Sequence, residues 1–177
     1  LAEMIKDIGE SLPTHIKLAY LPNYGMVRLR LTAFGADADQ LDQELAVYFE
    51  QLLKRTDEYL VIGEDMPMEL VIGKLLKERK QTITTAESCT GGYIAHLISK
   101  HSGASAYYMG SIVSYANKIK QELLGVPSSV LETVGAVSEA TVTQMAQSAR
   151  EKMHTDYAIA VSGIMGPEGG SPEKPVG

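Results

Sequence analysis

Residues 83–100 read ITTAESCTGGYIAHLISK: a β-prone run, a polar turn with paired glycines, then apolar residues at helical spacing. A strand that hands over directly to a helix is the building unit of an α/β layer. The pattern continues downstream. SAYYMGSIVSYA, 105–116, reads as a strand followed by the helix NKIKQELLG, and the helix SEATVTQMAQSAREKMH, 138–154, is followed by the strand DYAIAVS. Strands alternating with helices predict a mainly parallel sheet with flanking helices, and in such sheets ligands gather at the carboxyl ends of the strands. Three segments end strands there in polar or glycine-rich turns: AESCTGG, SYANKIK and SGIMGPEGGSPEKPVG.

Upstream of this unit the character differs. Residues 1–11 read as a short helix, and IKLAYLPNYGMVRLRLTAFG places two alternating runs, 16–21 and 26–33, around Pro22, Asn23 and Gly25, a hairpin signal. Leu41, Leu45, Tyr48, Phe49 and Leu52 are spaced for an amphipathic helix, and EYLVIG, 58–63, reads as a third strand. Turn residues from Gly63 to Pro67 mark a boundary, after which PMELVIGKLLKERK runs as a helix. The expected organisation is a small α+β domain over 1–65 and an α/β domain over 66–177. The stop at KPVG is a poor place for a fold to end, so the second domain is expected to be C-terminally incomplete.

Composition narrows the function classes. The chain of 177 residues carries 16 Lys and Arg against 22 Asp and Glu, for a formal charge of −6. A protein that grips nucleic acid through its phosphates shows a positive face, so this balance disfavours that class. One cysteine makes no intramolecular disulfide, no Cys/His cluster has zinc spacing, and no apolar run is long enough to span a bilayer. A cytoplasmic protein without metal or membrane is expected. Arg28 and Arg30, two apart on one strand, share a face that reads as solvated or as a small anion patch.

Within the AESCTGG turn three side chains compete for chemistry, Glu87, Ser88 and Cys89, of which Glu87 is left unassigned apart from a place at the helix N-terminus. Cys89 needs a base, usually His, yet His96 lies about 10 Å along the same helix and the other histidines lie in unrelated segments. A small packing residue is the favoured reading of Cys89. Spacing alone favours Ser88 as a helix N-cap; a nucleophile exposed at a tight strand-to-helix turn beside free amides is the other reading. As a nucleophile it needs a base. Lys120 is a candidate because it lies beside the Ile119 and Leu123 stripe, whereas Lys118 is spaced to pair with Glu122 on the surface. With Asn117 as the expected N-cap, Lys120 falls in the first helical turn, where a cation is disfavoured and its pKa is pressed down. A lone lysine is more usually a solvated surface group, and on spacing alone that reading is favoured. SGIMGPEGG, 162–170, either brings backbone amides to an anion or is merely a flexible loop, and its GxxG match is weak.

Taken together and in order, TAESCTGG, SYANKIK, GAVSEATVTQMA and SGIMGPEGGSPEKPVG resemble the C-terminal domain of the CinA (competence/damage-inducible protein) family, over about residues 67–177. SLPTHIKLAYLPNYGMVRLRLTAFG is similar to that family's KH-like linking domain. The resemblance implies nicotinamide-nucleotide amidase activity, hydrolysing the carboxamide of nicotinamide mononucleotide without metal or organic cofactor. It implies Ser88 as nucleophile, Lys120 as its base and Tyr115 beside them to orient or share the proton. It further implies that Thr90, Gly91, Gly92, Asn117, Ser162, Gly163 and Ile164 line the nucleotide pocket, with Ser162 standing where relatives often carry Thr. The expected partners are a small-molecule pyridine nucleotide and a second copy of the chain in a homo-oligomer, a dimer, with nucleic acid disfavoured. The family's N-terminal domain and the segment expected after KPVG are absent from these residues. A non-catalytic nucleotide-binding or interaction module is the rival reading.

Overall fold

The computed structural model describes residues 1–23 and 25–177; Tyr24, at the tip of the predicted hairpin, lies outside the described residues. The chain forms two compact units, Leu1–Asp65 and Met66–Gly177.

In the first unit a 3-10 turn, Glu3–Ile5, leads into α1, Lys6–Ser11. Strands β1, Ile16–Asn23, and β2, Met26–Ala33, pair antiparallel with Leu18 opposite Leu31 and Tyr20 opposite Leu29. Helix α2, Ala38–Thr56, is capped by the Asp37 side chain, which accepts from the Gln40 amide at 3.1 Å. Alternation along the hairpin turns Leu18, Leu29 and Leu31 toward Ile5, Ile8 and Leu52, which form the core of this unit. The opposite sheet face carries Lys17, Arg28 and Arg30, and Arg28 reaches Asp65 at 3.1 Å. Its reading as a solvated face agrees with the exposure of all three side chains.

One element of this unit corrects the sequence reading. EYLVIG makes no strand: Asp57–Tyr59 is a 3-10 turn and the rest is irregular, with Tyr59 and Val61 exposed. A β-prone run becomes a strand only where a ladder accepts it, and the sheet here holds β1 and β2 alone.

The second unit opens with α3, Met68–Arg79, and continues through β3, Ile83–Glu87, and α4, Tyr93–Ser99. Then follow β4, Tyr108–Val113, α5, Asn117–Leu124, α6, Ser128–Thr133, α7, Glu139–Met153, and β5, Tyr157–Val161. The sheet order is β4-β3-β5, with both pairings parallel. The strand expected over 105–116 is shorter because Ala104–Ala106 forms a 3-10 turn, and α6 is an element the sequence reading lacked.

Central β3 is buried on both faces, and its alternation assigns each residue to one of two cores. Ile83 packs with Leu76, Ile98 and Tyr107 beneath α3 and α4, while Ala86 packs with Leu124, Val126, Met145 and Ala149 beneath α5 and α7. Gly73 lets α3 come against Tyr107: a Cβ there would stand 2.6 Å from the phenol oxygen. Parity along β3 therefore sends Glu87 to the α4 side and Ser88 to the α5 side.

Candidate active site

At the carboxyl end of β3 the chain leaves the sheet through two residues of opposite fate. Glu87 is 0% exposed and Ser88 7% exposed. The Ser88 amide continues the ladder by donating to Val161 O at 3.0 Å, and Glu87 O accepts from the Ser114 amide at 2.7 Å. The turn is thus pinned to both neighbouring strands before the chain enters Thr90, Gly91 and Gly92. Both glycines have positive φ, 59° and 100°, the region where a side chain is strained.

The N-cap reading of Ser88 is overturned. Gly92 occupies the N-cap position of α4, and the orphan amides of that helix are taken by the Glu87 carboxylate. Oε2 accepts from Gly92 N at 3.1 Å, Ile94 N at 3.0 Å and Thr90 Oγ1 at 2.8 Å; Oε1 accepts from Ala95 N at 2.8 Å. Thr85 Oγ1 and Ser111 Oγ add longer contacts of 3.3 and 3.4 Å. Burial by itself raises the pKa of Glu87, but these donors outweigh it and hold the carboxyl below its ordinary 4.5. The positive end of α4 is accordingly filled by the protein's own anion.

Ser88 Oγ, free of capping duty, faces Lys120. Nζ of Lys120 lies 3.0 Å from it and donates to Ser114 O at 2.8 Å and to Tyr115 O at 3.0 Å. Lys120 is 1% exposed, with no carboxylate among its contacts. Burial drives its pKa below the ordinary 10.5, opposed by the nearby Cys89 sulfur. The inward reading of Lys120 and the outward reading of Lys118 both hold, since Lys118 pairs with Glu122 at 3.7 Å on the surface. Asn117 is not the cap: Ala116 takes that position and no side chain caps α5, leaving Asn117 as the first helical residue. Lys120 donates to main-chain carbonyls preceding its own helix, a fold-back that its long stem permits.

Tyr115 lies beside the pair, where the resemblance puts it. Its carbonyl, not its phenol, meets Lys120, and the residue is 75% exposed. The part of Tyr115 that orients Lys120 is thus main chain.

The other predicted pocket residues divide. Gly163 comes against the Ser88 turn, since a Cβ there would stand 3.2 Å from Cys89 Sγ. Ser162 Oγ is engaged elsewhere, donating to Ala136 O at 2.8 Å, and Lys174 Nζ donates to Val134 O at 2.6 Å. These two bonds tie the loop after β5 to the α6–α7 connection. Among the described residues the Cys89 and Thr90 amides donate to no protein acceptor, so they are the open donors of the turn. Cys89 has no histidine: His15 lies on Glu44, His101 on Glu69, His96 stacks near Tyr93 and His154 ends α7. The packing reading of the thiol stands. Ser114 Oγ is buried without a partner beside the carbonyl that holds Lys120.

An α/β unit with a buried Ser–Lys pair at the carboxyl edge of a parallel sheet, joined to a small α+β unit, is the class that these elements define. Residues 65–177 match the CinA C-terminal domain, and residues 1–61 match the damage-inducible protein CinA KH domain. The chain belongs to the CinA family. It is 48% identical over its full length to a CinA-like protein of Cytophaga hutchinsonii and 44% identical to one of Flavobacterium psychrophilum. It spans 42% and 43% of those two proteins, less than half of the length of each. Among solved structures, the competence/damage inducible protein CihA of Agrobacterium tumefaciens matches at TM-score 0.59 and 42% identity, covering 61% of this chain and 66% of that one. The competence damage-inducible protein A (ComA) of Klebsiella pneumoniae matches at 0.59 and 37%, covering 62% and 68%. Among the described residues no helix is long and apolar enough to cross a membrane.

Proposed function

We propose that this chain carries the site of a serine–lysine amide hydrolase, and that its substrate is the carboxamide of nicotinamide mononucleotide. The reading rests on one observation above all: a buried lysine 3.0 Å from a serine hydroxyl, with two carbonyls at its back. A neutral amine has two hydrogens and one lone pair. With both hydrogens on Ser114 O and Tyr115 O, the lone pair is left for the Ser88 hydroxyl. A depressed lysine pKa favours that neutral form.

The reaction then runs in two halves. Lys120 Nζ takes the Ser88 proton as Oγ bonds to the amide carbon, and the oxyanion forms toward the open amides of Cys89 and Thr90. The amide of Ser88 itself is excluded from this role because Val161 O holds it. As the carbon–nitrogen bond breaks, Lys120 returns the proton to the leaving nitrogen, and ammonia departs. Water attacks the acyl-enzyme with Lys120 again as base, releasing nicotinic acid mononucleotide and restoring the Ser88 hydroxyl. Every proton is carried by Lys120, and the chain's own residues require no metal or organic cofactor for these steps.

The nicotinamide mononucleotide assignment comes from the sequence motifs and family membership, and the Ser–Lys geometry supports amide hydrolysis more generally. An ammonia-release assay on the full-length protein, with Ser88→Ala and Lys120→Ala alongside, tests both levels. Wild-type turnover of nicotinamide mononucleotide that either variant abolishes supports the reading. Undiminished turnover in either variant sinks the pair, and binding of the nucleotide without ammonia release by wild type favours a non-catalytic module.

A further inference from the structure

We propose that Glu87 is the positioning residue of this site: it sets the Ser88 turn and, through the backbone of one residue, Ser114, the lysine as well. This inference rests on the Ser–Lys reading above and adds to it a residue outside the proton path. Two routes lead from Glu87. By its side chain it gathers Thr90 Oγ1 and the amides of Gly92, Ile94 and Ala95, so the segment carrying Cys89 and Thr90 is stretched between β3 and a helix start that the same carboxylate holds. By its main chain it accepts the Ser114 amide at 2.7 Å, and the carbonyl of Ser114 accepts Lys120 Nζ at 2.8 Å. Nucleophile, open amides and base therefore all refer back to one residue.

Chemistry favours a carboxylate here over a simple cap. Six donors surround the two oxygens, and no cation is among them. Amides and hydroxyls compensate the anion with neutral dipoles, so the turn is held without a formal cation. Glutamine has the same shape but carries one NH2 where main-chain N–H groups, which can only donate, face both oxygens. Whichever way the amide is turned, that NH2 meets either Ala95 N–H or the Gly92 and Ile94 N–H groups. The turn must then shift, and a displaced oxyanion donor lowers kcat more than substrate affinity.

The test is steady-state kinetics of Glu87→Gln in the full-length protein, measured well below its melting temperature. The expected result is a kcat lower by about 10²-fold with KM within about twofold, the scale of a misplaced oxyanion donor. The rate of Ser88 labelling by a fluorophosphonate should fall in parallel. The pH profile of the remaining activity should keep its shape, because Glu87 carries no proton. A wild-type kcat in folded Glu87→Gln, or a shifted pH limb, would overturn the inference. If that variant does not fold, Thr90→Val removes a single donor at Oε2. A reduced kcat at constant KM supports positioning there, whereas a raised KM alone assigns Thr90 to substrate and rejects it. Ser88→Ala measured alongside separates the two levels: undiminished turnover in Ser88→Ala refutes the Ser–Lys reading itself, whereas an inactive Ser88→Ala beside fully active Glu87→Gln refutes only the role given to Glu87.

Discussion

The two units handle polarity in opposite ways. In residues 1–65 the charged side chains stay at the surface: Arg55 forks onto Asp7 at 2.9 and 3.0 Å, Arg28 reaches Asp65, and the buried set is Ile5, Ile8, Ile16, Leu52 and a single threonine. In residues 66–177 a glutamate, a lysine and two serines are buried around the end of one strand. Burying such groups is costly unless each finds partners, and here three find them while Ser114 Oγ does not. The first unit is arranged as a fold optimised locally. In the second, local stability is given up at one point, and chemistry is the physical reason that makes such a concentration intelligible.

The contrast can be tested by substitution. The largest expected effect is on turnover in the second unit: Ser88→Ala lowers ammonia release by on the order of 10⁴-fold or more, and Lys120→Ala by about 10²- to 10⁴-fold. Packing comes next. Gly73→Ala forces a methyl against the buried Tyr107 ring and is expected to destabilise the second unit by about 1–3 kcal/mol, read from a denaturant melt.

Linkage provides the third comparison. The folded pKa of Lys120 lies below 10.5, so between that folded value and 10.5 the unfolded chain holds a proton that the folded chain lacks. Stability therefore rises with pH across this window, by at most about 1.4 kcal/mol per unit, and Lys120→Met removes the slope. Glu87 acts at the other end. Its stabilisation is fully present above 4.5 and is lost as pH falls through its lowered folded value, a loss that Glu87→Gln flattens. Melts of both variants across pH decide whether the titrating groups are these two.

The smallest effects are expected at the rim and in the first unit. Tyr115→Phe should keep kcat within about twofold, because Tyr115 meets Lys120 through its carbonyl, and a loss beyond tenfold would return the phenol to the proton path. Arg28→Ala with Arg30→Ala should leave turnover within about twofold, and a larger change would show that the two units do not work independently.

Much of this site could be read in advance, and the misses have physical causes. Ser88 and Lys120 lie in stretches that stand out, a strand-to-helix turn and an apolar stripe, but spacing alone favours a cap and a surface lysine, and only the family resemblance pairs them as nucleophile and base. The sequence offers Glu87 no chemistry beyond a place at the helix N-terminus, and the extent of that capping is not legible because capping rules look about three residues ahead, whereas its carboxylate reaches amides five, seven and eight residues on. Asn117 has the composition of a cap, but the chain enters α5 through an extended Ala116 that places Asn117 inside the helix. EYLVIG had strand composition without a ladder to join. The carbonyls of Ser114 and Tyr115 carry no signal in residue identity at all, since any residue supplies one.

Strand parity has an engineering consequence. Ser88 and Glu87 are neighbours whose duties depend on an odd–even count along β3. Moving the register by one residue would turn the carboxylate toward Lys120 and the hydroxyl toward α4. The outcome would be a buried ion pair in place of a nucleophile and its base, with a capped helix replaced by an uncapped one. Insertions in the connections should therefore be tolerated far better than any single-residue insertion or deletion between Ile83 and Glu87, which would rewrite the chemistry while keeping the composition.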